Sequence, residues 1–515
     1  MEESEYRHPR ATWYIIGVGG TGCNVVDAFF RTLNYKLIRI APRFSFKNDN
    51  EQKYLTEVIL EYGVPGKFGW WIYNTSMRDL SNTSIIWSKL KTLYPKIEEE
   101  RTGEHTAAQG QASKKWTRRI SDEIAYEYKI QEHFTSGFAM AEGAGKFWSS
   151  GQTSTIQMLD PDYWKEITGK KEPKIKYVLD TLEKGLWRIS NGLLVIHGLG
   201  RGTGSGATHR IIRTLKQIRK DLHIVTLSIF PSISSSTSRY EDAIIQSMFG
   251  LLSVLQDEND KKLAGAVMLA HNDICHMLCL KERKSFLYSD KSLRFRGHRL
   301  FPRVSKGGKG KESYNRILVD LIGLLSSTHI RGREEEAFDL NNLVKSVEYP
   351  TSDPEFPGIL VPCVFISPKR KATSQELITG ALQEGKLVEC DPSTSKAIYI
   401  ILFLDVNVEG NSLSDIYHVP DETISKLYPD LKIPKLKTPD YIDTRGAFAA
   451  AVIFLINPRI PLIEEYYKVT EDYFERLMAN PRLRVETEAL QMHETWEKGY
   501  KERAGKLLEM LTRNK

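Results

Sequence analysis

Cysteine is scarce: Cys23, Cys275, Cys279, Cys363 and Cys390 are spread over 515 residues, and no two of them stand as CxxC. That argues against a disulfide framework and a structural zinc site, and it favours a reducing compartment. Long apolar runs are missing too. The longest, Ala447 to Ile456, is about half of the roughly 20 residues that a membrane helix needs, and its composition suits a strand. The opening MEESEYRHPR is charged and lacks the apolar stretch of a secretory signal, so a cytoplasmic location is expected. No solenoid repeat is present. What remains is ordinary for a folded chain: 41% hydrophobic and 27% charged residues, with 36 Gly and 21 Pro. A length of 515 residues predicts more than one domain.

The net charge is +7, from 72 basic and 65 acidic residues, and its distribution is uneven. Between Lys281 and Glu312, eleven Lys and Arg face only Glu282, Asp290 and Glu312, a local excess of +8. The segment from Lys281 to Lys311 reads as a Gly- and Lys-rich loop. It is a candidate contact for nucleic acid, an anionic surface or an acidic partner, although most such runs are simply solvated insertions.

Two glycine loops carry the chemistry. A β-prone run from Thr12 to Ile16 leads into Gly17-Val18-Gly19-Gly20-Thr21-Gly22, followed by helical spacing of Val25, Val26, Phe29 and Leu33. Glycines at 17, 19 and 22 satisfy GxGxxG, in which missing Cβ atoms let backbone N–H groups approach a phosphate. The apolar run Leu193 to Ile196 leads into Gly198-Leu199-Gly200-Arg201-Gly202-Thr203-Gly204-Ser205-Gly206, then a helix marked by Ile211, Leu215 and Ile218, then the strand-like HIVTLSIF. Repeated βαβ logic predicts a parallel sheet with both loops at one crevice.

Three familiar sites do not fit. A dinucleotide-binding Rossmann loop wants an acid about 20 residues on, where this chain has LIRIAPR. No Lys-Ser/Thr pair follows the second loop, so it is not a Walker A motif. Thr203 and Ala207 occupy the flanking glycine positions that a nucleophile elbow at Ser205 would need.

The run Gly200 to Gly206 (GRGTGSG) does resemble the GGGTG(S/T)G signature of the tubulin and FtsZ superfamily, with Arg201 at the second glycine. GVGGTGCN, ending at Asn24, is similar to the FtsZ opening loop. Trp71 to Leu80, containing Asn74 and Thr75, resembles the next strand and loop, and Gly143-Ala144-Gly145-Lys146 resembles the turn that meets the γ-phosphate. Leu227 to Ser232 resembles a tubulin S-V-x-P-S segment. The resemblance implies an α/β fold: a Rossmann-like parallel-sheet GTPase domain, a long central helix, then a smaller α+β domain and C-terminal helices. The boundaries expected are 1–308 with insertions near 34–68 and 281–312, then 309–332, 333–459 and 460–515.

It also implies GTP or GDP with Mg²⁺ carried mainly on the nucleotide's phosphates, and a head-to-tail homopolymer as partner. Phosphate and sugar contacts would fall on Gly19, Gly20, Thr21, Gly22, Cys23, Asn24, Asn74, Thr75, Gly143, Ala144, Gly145, Lys146, Gly200, Arg201, Gly202, Thr203, Gly204, Ser205, Gly206 and Glu241. The base would fall on Asn272, Tyr314 and Asn315, since a carboxamide offers the donor and acceptor that guanine needs. Asp339 and Asn342 align with the loop that reaches the next subunit's nucleotide. Asn342 stands where that family has an acid, and an amide cannot act as a carboxylate base. Lys311 stands where a stacking aromatic is usual. A polymerising GTPase is the leading expectation, a non-polymerising GTP switch the second, and an NAD(P)-dependent Rossmann enzyme a distant third.

Overall fold

In the computed structural model, strands from both halves of the chain make one nine-stranded sheet. The residues described are 13–31, 68–74, 147–159, 192–220, 223–232, 240–257, 259, 261–282, 294–295, 298–299, 316–327, 343–344, 356–429, 431, 439–444, 446, 448–480 and 487–512.

The first half alternates as the sequence predicts: β1 (Trp13–Val18), α1 (Gly19–Arg31), β2 (Phe68–Tyr73), α2 (Trp148–Leu159), β3 (Leu193–Gly198), α3 (Gly202–Ile218), β4 (Ile224–Phe230), α4 (Tyr240–Leu255), β5 (Ala266–His271) and α5 (Asn272–Glu282). A two-stranded hairpin, β6 (Arg294–Phe295) with β7 (His298–Arg299), lies within the basic segment. The central helix is described over α6 (Arg316–Ser327). The second half adds β8 (Gly358–Ile366), α7 (Ser374–Glu384), β9 (Ala397–Leu404), α8 (Leu413–Leu427), β10 (Asp440–Asp443), β11 (Ala450–Ile456), α9 (Pro461–Ala479), α10 (Thr487–Thr495) and α11 (Lys501–Thr512).

The strand order is β10-β9-β11-β8-β5-β4-β3-β1-β2. From β2 across to β8 every neighbouring pair is parallel, and β11 runs antiparallel between β8 and β9. The junction between the halves is parallel pairing of Ala266 with Gly358, Val267 with Ile359 and Met268 with Leu360. Strands of the segment 333–459 therefore extend the first half's sheet.

Period-two alternation explains why the sheet needs covering on both sides. Leu193, Val195, Val267, Leu269, Ile398, Ile400 and Leu402 enter one core, where α2, α3, α4, α7 and α9 to α11 lie. Leu194, Ile196, Met268, Ala270, Ile401 and Phe403 enter the other, with α1, α5 and α6. Each core draws on strands from both halves of the chain.

Local signals set the helix ends. Thr373 and Ser412 each form a reciprocal capping box, with Glu376 and Asp415 respectively, at the starts of α7 and α8. Pro461 opens α9, where a missing N–H costs nothing. The sequence pattern of 487–512 reads as one helix, but non-helical dihedrals at Gly499 break it, leaving a π-type turn over Trp496–Tyr500 between α10 and α11. Among the described residues no helix is long and apolar enough to cross a membrane, and all five cysteines are free and buried.

Candidate functional site

β1 and β3 are hydrogen-bonded neighbours, so their carboxyl ends deliver the two glycine loops side by side. The loops touch. Gly19 has φ +71°, a left-handed conformation that favours glycine, and a Cβ there would lie 2.8 Å from the Gly204 backbone nitrogen. Gly22 backs onto Ile196 so closely that any side chain would collide with the Ile196 carbonyl, and Gly204 stands likewise against the Gly198 carbonyl. The glycine spacing thus serves close packing of loop against loop and helix against strand. Gly204→Val, the substitution that the motif alone proposes for abolishing ligand binding, would therefore push the backbone apart, and loss of binding would not isolate a ligand contact.

Helices α1 and α3 both start in this contact, and neither has an acidic residue in its first turn. Arg201 is the N-cap of α3 and makes no side-chain capping bond; it is exposed. Two positive helix ends thus meet where orphan N–H groups are concentrated, with exposed Arg201 at the cap of one of them. That arrangement is suited to an anion.

The rim continues along the strand ends. A Cβ on Gly200 would lie 2.5 Å from the Pro231 ring, just past β4. Ser232 then donates to the Asp273 carboxylate in the first turn of α5, beside Asn272. His271, the last residue of β5, accepts from the Asp273 N–H through Nδ1 at 3.3 Å. The carboxyl ends of β1, β3, β4 and β5 therefore form one continuous edge, where ligands of open α/β sheets bind.

The expected residues take different places. Gly20, Thr21, Asn24, Gly200, Glu241 and Asn272 are partly accessible, and Asn74 is buried at the end of β2. Cys23 is turned inward, its thiol directed at the Tyr73 carbonyl 3.4 Å away. Ser205 donates back to the Arg201 carbonyl at 2.8 Å, and Gly202, Thr203 and Gly206 are buried in the interlock. Thr75, Gly143, Ala144, Gly145, Lys146, Tyr314, Asn315, Asp339 and Asn342 lie outside the described residues, as do most of the segments 34–68 and 281–312.

Glu241 is already engaged: its carboxylate accepts from Arg476 of α9 at 2.7 Å, with both side chains about half exposed. With Val469, Asp472 and Glu475 the pair lines a hollow of about 420 Å³. Three carboxylates against one guanidinium make that hollow hostile to phosphate, so the anion-favouring surface is at the glycine loops instead.

Sequence reasoning missed His197, the one polar side chain in the run LLVIHG of β3. It lies fully buried beneath the second loop: Nδ1 bonds the Gly204 carbonyl at 3.0 Å and Nε2 bonds the Ser228 hydroxyl at 2.7 Å. Burial outweighs the Gly204 bond and pulls its pKa down to about 4, so the ring is neutral near pH 7. A neutral ring gives Nδ1–H to the carbonyl and accepts from Ser228, which pins the first turn of α3 to β4. The only sequence signal was a polar residue where apolar ones were due.

The paired loops sit at the edge of a nine-stranded, mostly parallel α/β fold. Among solved structures, one that shares it is CetZ2 from Haloferax volcanii, described as a GTPγS-bound protofilament: TM-score 0.50 at 13% identity, covering 91% of this chain and 99% of that one. No protein-family model matches the sequence, and no curated protein does.

Proposed function

We propose that the chain binds a guanine nucleotide at the paired glycine loops and assembles head to tail, with the nucleotide between subunits. The observation that carries this reading is the convergence of two acid-free helix N-termini, locked by Gly19 against Gly204, with exposed Arg201 at the cap of α3. Backbone N–H groups of residues 19–22 and 202–204 would take the phosphates, and Arg201 would offset their charge. Asn272 and Asn315 would read the base and Glu241 the sugar, which requires Glu241 to exchange Arg476 for ribose. Mg²⁺ fits a site of this kind through the nucleotide's own oxygens, since the loops supply N–H donors and no carboxylate. The likeness to a GTPγS-bound protofilament supports both nucleotide and self-association; it gives no support to a nucleic-acid partner for the basic segment.

Hydrolysis in this reading is slow. Asp339 and Asn342 would be presented by the following subunit, and the amide of Asn342 can orient water but cannot take its proton.

The test is titration with labelled GTP, GDP, ATP and NADPH, followed by sedimentation with Mg²⁺ over a protein concentration series. Guanine-selective binding, weakened about ten-fold or more by Arg201→Ala with the melting temperature unchanged, is the expected result. A pellet that forms only with GTP above a threshold concentration is the second expectation. Binding without a pellet would instead favour the non-polymerising switch, and selective NADPH binding would end the guanine reading.

A further inference from the structure

The first turn of α2 interlocks with the first turn of α3 backbone to backbone. Side chains at Gly151, Gly202 or Gly206 would strike the Gly202, Phe147 and Trp148 carbonyls respectively. What holds α2 from behind is the C-terminal segment. The Trp148 indole stacks on His209 of α3 at 5.7 Å, tilts against Phe249 of α4 at 5.3 Å and meets the edge of Tyr500 at 5.8 Å. Its Nε1–H donates to Ser253 at 3.2 Å. Ser253 gives its single proton to the Phe249 carbonyl at 2.6 Å, so it accepts both from Trp148 and from the Tyr500 hydroxyl at 2.9 Å. Two further links reach α10. Gln246 accepts from the Trp148 backbone N–H and donates to the Met492 sulfur at 3.6 Å; Ser150 donates to Glu488 at 2.9 Å.

We propose that α10 and α11 brace the nucleotide site from behind, with Gln246, Ser253 and Tyr500 as positioning residues that seat α2 against the second glycine loop. This rests on the nucleotide reading above. The bonding of Ser253 is complete only while Tyr500 is docked, and the Trp148 edge contact is kept only while the Trp496–Tyr500 turn between α10 and α11 is in place. Close-packed backbones do not slide continuously, so loss of that cover shifts α2 relative to Gly202 and Gly206. Linkage makes the effect reciprocal: nucleotide at the loops stabilises docking of α10 and α11, and docking tightens nucleotide binding.

The test uses the full-length chain carrying Ser150→Ala and Tyr500→Phe, which keeps the ring packing and removes two hydroxyl links. Labelled-GTP affinity, the ligand-free melting temperature and hydrogen exchange over 487–512 with and without GTP are measured. The expected result is affinity weakened about five- to ten-fold, and GTP-induced slowing of exchange over 487–512 in the unaltered chain that shrinks in the variant. A lowered melting temperature with unchanged affinity would mean that the contacts are merely structural, and would overturn the brace. So would exchange over 487–512 that ignores GTP in the unaltered chain, a result that needs no variant to fold. An unaltered chain that binds no GTP overturns the nucleotide reading and this inference together.

Discussion

At the scale of single residues, the second loop depends on a histidine that must stay uncharged. His197 is held near pKa 4 by burial, below its unfolded value of about 6.5, so between those limits the unfolded chain binds the proton that the folded chain refuses. Its contribution is fully present above pH 6.5 and is lost as pH falls toward 4, by roughly 3 kcal/mol at most. His209, also buried and pulled down by desolvation and by Arg210 and Arg213, steepens the same window. Thermal melts between pH 7.5 and 4.5 should therefore drop steeply, and His197→Asn, which cannot titrate, should show a shallower slope from a lower starting stability. Parallel slopes in the two proteins would remove His197 as a source of acid sensitivity.

At the scale of elements, the helix ends make separable contributions. Thr373 and Ser412 accept from the Glu376 and Asp415 N–H groups, each at 3.2 Å, and the two carboxylates reach back to the cap nitrogens. Both boxes are on the surface of the second half, so Thr373→Ala and Ser412→Ala should each cost about 1 kcal/mol, read as a lower urea midpoint at unchanged slope. The exposed Arg476–Glu241 pair should contribute far less. Elements were also where the sequence was most readable: β-prone and apolar runs located β1, β3, β4 and β11, and helical spacing located α1 and α3. Gly499 escaped, since one glycine in a helical pattern does not reveal whether the chain bends there. The glycine loops were found by their motif, but their packing was not, because that Gly22 abuts Ile196 and Gly204 abuts Gly198 depends on contacts no spacing encodes.

At the scale of the whole molecule, strand partners are what the pattern could not supply. An apolar run such as GILVPCVFI reads as a buried strand whichever neighbour it takes. Its partners are β5 on one side and β11 on the other, and no spacing in the run names them. Parting the halves would bare the β5 edge and split both cores, since Val267 and Leu269 share one with Ile400 and Leu402, and Met268 shares the other with Ile401 and Phe403. Edge hydrogen bonds and apolar surface lost together make a half-folded state costly. Unfolding should therefore be one transition, with tryptophan fluorescence and far-UV circular dichroism superimposing through the melt. A nucleotide at the first-half loops should then raise the unfolding temperature of α7 and β9 as much as that of α1, read by hydrogen exchange on each. Two resolved transitions, or protection confined to the first half, would show that the β5–β8 junction yields before either core does.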